Sequence, residues 1–145
     1  MQKPKPRGTP MEEDEELQRI RAKKLRKMIQ RDGGKEAGKN VIELNDLTFD
    51  KALQKANGPL FVDFWAAWCM PCRIMAPVVE ELARNYAGKA LFAKVNVDEN
   101  PDTALRYQIM SIPTFIIFKN GRPAEKIVGA VGREPLEGAL NKHLT

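Results

Sequence analysis

From residue 41 onward, apolar and polar positions switch between a strand period and a helix period, which outlines a succession of alternating elements. Val41-Ile42-Glu43-Leu44 reads as a short strand. Residues 47–56 carry a helical pattern that Asn57-Gly58-Pro59 stops. Leu60 to Ala66 is apolar on both faces, as expected of a strand inside a covered sheet. A long helix over 70–87 follows and ends at Gly88; Pro77 in its interior predicts a kink. Ala90 to Val97 is a third strand, and residues 101–107 form a short helix opened by Pro101. Thr114 to Lys119 and Ala124 to Gly129 are strands joined through Asn120-Gly121, the strongest short hairpin signal. Residues 133–143 close the chain as a helix, and no internal repeat is visible.

Two charges interrupt the apolar strands. Asp63 stands between Val62 and Phe64, two residues before Trp65. Desolvation there would lift its pKa above the ordinary value of about 3.9. A strand-end aspartate facing water is the plainer reading, and the apolar flanks argue against it. Lys94, in Phe92-Ala93-Lys94-Val95, is either its partner or a lysine whose stem is covered and whose amine stays wet. Ile112-Pro113-Thr114 opens the fourth strand, where a proline that cannot donate to the ladder marks an edge or a turn.

The segment before residue 41 has a different character. Residues 11–31 contain no Gly or Pro, with acidic residues first and basic ones later, an order that complements a helix dipole. Leu17, Ile20, Leu25, Met28 and Ile29 form an apolar stripe at helical spacing. Asp32 to Asn40, with Gly33, Gly34 and Gly38, reads as a flexible linker. The net charge of +5 resides wholly in residues 1–40, which hold 12 Lys and Arg against 7 Asp and Glu. Residues 41–145 hold 12 of each. The division expected is a charged extension, 1–40, with its own partners, and one neutral domain, 41–145. Glu12 to Glu16 occupy the place where a signal peptide needs apolar residues, and no apolar run approaches a membrane span of roughly 20 residues. A soluble cytoplasmic chain is expected, in a compartment that keeps thiols reduced.

The only cysteines are Cys69 and Cys72, in Trp68-Cys69-Met70-Pro71-Cys72, where the second strand gives way to the long helix. A structural zinc site needs four ligands, and His143 is the only other candidate, so no metal is expected. Haem attachment would place His after the second cysteine, where Arg73 stands. A static disulfide this short removes little loop entropy and so stabilises little. Two thiols beside a helix N-terminus satisfy instead what thiol–disulfide exchange requires, a stabilised thiolate and a partner within reach.

In order and spacing, Val62-Asp63-Phe64-Trp65-Ala66, Trp68-Cys69-x-Pro71-Cys72, Ala76-Pro77, Ala93 to Asp98, Ile112-Pro113-Thr114 and Phe118-Lys119-Asn120-Gly121 resemble the motifs of the thioredoxin family over residues 41–145. The resemblance implies an α/β thioredoxin fold, a central mixed sheet flanked by helices, preceded here by the helical tail. It implies a cis Ile112-Pro113 bond facing the disulfide, with the Ile112 backbone able to bond an extended substrate. It implies that Asp63 lies beneath Cys72 with Lys94 beside it. Met70 departs from the family's usual glycine, which adds apolar surface at the substrate rim.

The function expected is therefore reduction of protein disulfides. Cys69, more exposed at the helix start, attacks; Cys72 resolves the mixed disulfide, with Asp63 taking its proton. Trp68, Met70, Pro71, Ile112 and Pro113 form the substrate shelf, while Trp65 is more readily a core residue. No cofactor is expected on the chain, which would be a monomer re-reduced by a thioredoxin reductase or an equivalent donor. The competing readings are a disulfide oxidase or isomerase, and a redox-indifferent adaptor whose basic tail engages nucleic acid, a ribosome or an acidic protein. A potential near −270 mV instead of about −120 to −180 mV separates reductase from oxidase. The stretch Asp14 to Leu25 also resembles the leading helix of some small archaeal DNA-binding proteins.

Overall fold

In the computed structural model, residues 17–21 and 40–144 are described. The strands are β1 (Val41–Leu44), β2 (Leu60–Trp65), β3 (Leu91–Asn96), β4 (Thr114–Lys119) and β5 (Arg122–Val128). The helices of the domain are α1 (Phe49–Lys55), α2 (Met70–Asn85), α3 (Pro101–Arg106) and α4 (Arg133–Lys142). One mixed sheet has the order β1-β3-β2-β4-β5. Pairing is parallel between β1 and β3 and between β3 and β2; it is antiparallel from β2 to β4 and from β4 to β5. Of the helix expected over 11–31, residues 17–21 are helical, with Leu17 and Ile20 exposed, and the rest lies outside the described residues.

Side chains alternate across a strand, so β2 feeds two cores. Leu60, Val62 and Phe64 pack with Phe49, Ala52 and Leu53 of α1, and with Tyr107 and Ile109 beyond α3. Phe61 points to the other face and packs with Met75, Val79 and Leu82 of α2 and Leu136 and Leu140 of α4. Burying each of these large side chains contributes about 1.5–3 kcal/mol. A strand covered on both sides must be apolar throughout. The one charge on β2, Asp63, is therefore placed on the α2 face by period alone, between Phe61 and Trp65.

The β4–β5 hairpin turns at Asn120 and Gly121, with φ of +54° and +78°. Two successive left-handed residues are what a primed turn requires. The pairing then steps from Phe118↔Pro123 to Ile117↔Glu125, leaving Ala124 as an extra residue. That irregularity lets β5 begin at Arg122 and not at Ala124, because an edge strand tolerates a proline that donates nothing.

Candidate active site at the start of the long helix

β2 stops at Trp65, and a turn closed by Cys69 N–H donating to the Ala66 carbonyl (3.1 Å) leads into α2. Cys69 is the N-cap residue in extended conformation, and its Sγ accepts the Cys72 N–H at 3.2 Å. The cap role normally belongs to a hydroxyl or carboxylate oxygen. A sulfur there receives both a backbone donor and the positive end of the helix dipole, which favours thiolate over thiol. Cys69 and Cys72 form a disulfide with 5.3 Å between their Cα atoms.

Both cysteines are 3% exposed, so the expectation that Cys69 is the more exposed of the two does not hold. What separates them is the groove. A cavity of about 590 Å³ is lined on one side by Trp68, Cys69, Met70 and Pro71, and on the other by Ile109 to Ile112, with Val97 between. Cys72 is not part of that lining; it packs with Cys69, Ala66, Trp65, Val97 and Ile112. Access from the groove therefore leads to Cys69.

Among the described residues, no charged side chain lines the groove. Trp68 is 70% exposed, and its Nε1 donates to Asp98 Oδ2 at 2.7 Å, which holds the indole as one wall. Met70 is 59% exposed, and Ile74, one turn further along α2, extends the same apolar surface. On the opposite side the Ile112–Pro113 bond is cis, and the Ile112 carbonyl oxygen lies 3.8 Å from Cys69 Sγ. Met110 is 92% exposed. Val97 and Asp98 enter the sequence reading only through the Ala93 to Asp98 motif, and Ile109, Met110 and Ser111 do not enter it. The signal was an uncharged run between a short helix and an Ile-Pro step, which reads as an ordinary loop.

Asp63 is buried, and its Oδ1 has no hydrogen-bond partner among the described residues. Burial pushes its pKa up to about 7, against the opposing pull of the Lys94 ammonium. Lys94 sits directly across from Asp63 in the β2–β3 register, and its Nζ lies 5.1 Å from the centre of the Trp65 ring. Trp65 thus belongs to the packing under the site, and its Nε1 is likewise buried without a partner among the described residues. His143 contacts Glu125 Oε1 at 3.0 Å. Among the described residues no group of three or more His, Cys, Asp or Glu is arranged to hold a metal, and no helix is long and apolar enough to cross a membrane.

Comparison with known proteins agrees with this geometry. The thioredoxin family model matches residues 40–142. Thioredoxins of Staphylococcus aureus strains Mu50, MW2 and N315 are each 50% identical over 104 residues, covering 72% of this chain and 98% of theirs.

Proposed function

Because this chain belongs to the thioredoxin family and reduces protein disulfides through the Cys69–Cys72 pair, we propose that it does so by docking an extended segment of its target in the Trp68–Met110 groove. In the reduced protein the Cys69 thiolate attacks one sulfur of the target disulfide. That bond breaks, the target's other sulfur leaves as a thiolate and takes up a proton, and a mixed disulfide to Cys69 remains. Cys72 then gives its proton to the Asp63 carboxylate and attacks Cys69 Sγ. The second target thiolate departs, and the Cys69–Cys72 disulfide closes. Two electrons have passed to the target, and a thioredoxin reductase or equivalent donor returns them, with no cofactor held on this chain. Lys94 biases Asp63 toward the ionised form that accepts a proton. Trp68, Met70, Pro71, Ile112 and Pro113 supply the docking surface. The working compartment is the cytoplasm, where thiols are kept reduced.

The position of Cys69 carries this reading: it caps the helix and also lines the groove. Limiting iodoacetamide on the reduced protein near neutral pH tests it, because alkylation follows thiolate character and access. Cys69 should be labelled first. Preferential labelling of Cys72 in the mass spectrum would reverse the roles.

A further inference from the structure

The wall opposite Cys69 hangs on the end of a short helix. Gln108 follows α3 in left-handed conformation (φ +54°), its N–H donating to Leu105 O at 3.0 Å. The Ile109 N–H donates to Ala104 O at 2.9 Å. Together these bonds form a Schellman ending, built here with a glutamine at the position that normally prefers glycine. The ending leaves the carbonyls of Tyr107 and Gln108 outside the helix. Both are taken by one group: Lys126 Nζ, on the edge strand β5, donates to Tyr107 O at 3.3 Å and to Gln108 O at 3.0 Å.

Beyond this anchor the wall is attached at three points, one of them Ile112, which packs against the Cys69–Cys72 pair. Ile109 packs on the α1 face of the sheet, and Thr114 Oγ1 donates to Ser111 O at 2.6 Å. Met110, between those points, is almost wholly exposed. We infer that Lys126 is a positioning residue of the groove: by bonding the Tyr107 and Gln108 carbonyls it holds the Ile109–Ile112 wall at the separation from Cys69 that docking requires. A cation suits the place because it meets the negative end of a helix dipole and carries three donors, enough for both oxygens. The inference rests on the docking role given to the groove.

Full-length Lys126→Met keeps the apolar stem and loses the donors, whereas Lys126→Arg keeps donors and charge. The Met variant should raise KM for insulin reduction roughly two- to fivefold, the range expected of an exposed charged contact, with kcat unchanged. Reduction of the small hydroxyethyl disulfide should not change, amide exchange at Ile109–Ile112 should quicken, and Lys126→Arg should restore the parent values. Unchanged exchange in Lys126→Met, an equal loss on both disulfides, or no rescue by arginine would overturn the positioning role. Met110→Asp, run alongside, puts a charge in the groove. A raised insulin KM in Met110→Asp but not in Lys126→Met refutes Lys126 while leaving docking intact. If neither variant moves KM, the docking reading fails and this inference falls with it.

Discussion

Asp63 shows most plainly how one residue's surroundings set its chemistry. A carboxyl ordinarily ionised near 3.8 titrates near 7 because burial penalises its charged form more than Lys94 favours it. The proton is thus bound more tightly in the folded chain than in the unfolded one. The group accordingly weakens the fold as pH rises from about 4 through about 7, and full ionisation costs on the order of 4 kcal/mol. Asp63→Asn should raise the melting temperature by several degrees more at about pH 8 than at about pH 5. Loss of the acceptor should also slow turnover, and should remove the part of the decline in wild-type turnover below about pH 7 that comes from protonating Asp63, leaving the part that comes from protonating the Cys69 thiolate. Identical melting gains at both pH values, or full activity across the range, would contradict the assignment. Asp63 was legible in the sequence because a charge inside a two-sided apolar strand violates the local pattern. The relative exposure of the cysteines was not legible, since it depends on how the Trp68 turn and the Ile112 loop close over both.

At the scale of elements, every strand and helix of the domain could be read from periodicity and punctuation, and the differences lie at their ends. The long helix stops at Asn85, short of residue 87, because Tyr86 caps it and accepts from the amides of Lys89 and Ala90. β5 begins earlier than its apolar pattern because the Ala124 irregularity absorbs Pro123. The groove's second wall was illegible for another reason. Residues 109–112 belong to no regular element, and their function arises when the sheet brings them against Cys69, far away in sequence. Trp68 with Asp98 and Lys126 with Gln108 are likewise long-range contacts that no local pattern announces. Motif resemblance reached Ile112 and Pro113 where periodicity could not.

For the whole molecule, the net charge lies in residues 1–40, while residues 41–145 are neutral. The proposed division places all of the site's residues within 41–145, joined to the extension through a segment with Gly33, Gly34 and Gly38. Insulin reduction by residues 41–145 should match that of the full chain, and a clear loss on truncation would mean that the extension supports the site. If residues 1–40 bind nucleic acid, duplex affinity should fall steeply between about 50 and 200 mM salt and should vanish with the extension. Equal affinity of both forms would remove nucleic acid as its partner. Arresting the reaction halfway shows whether electrons leave this chain through Cys69 and whether Cys72 resolves the resulting bond. Full-length Cys72→Ser incubated with insulin should accumulate a covalent adduct through Cys69 that dithiothreitol releases, while Cys69→Ser should form none. An adduct formed by Cys69→Ser and absent from Cys72→Ser would reverse the roles of the two cysteines.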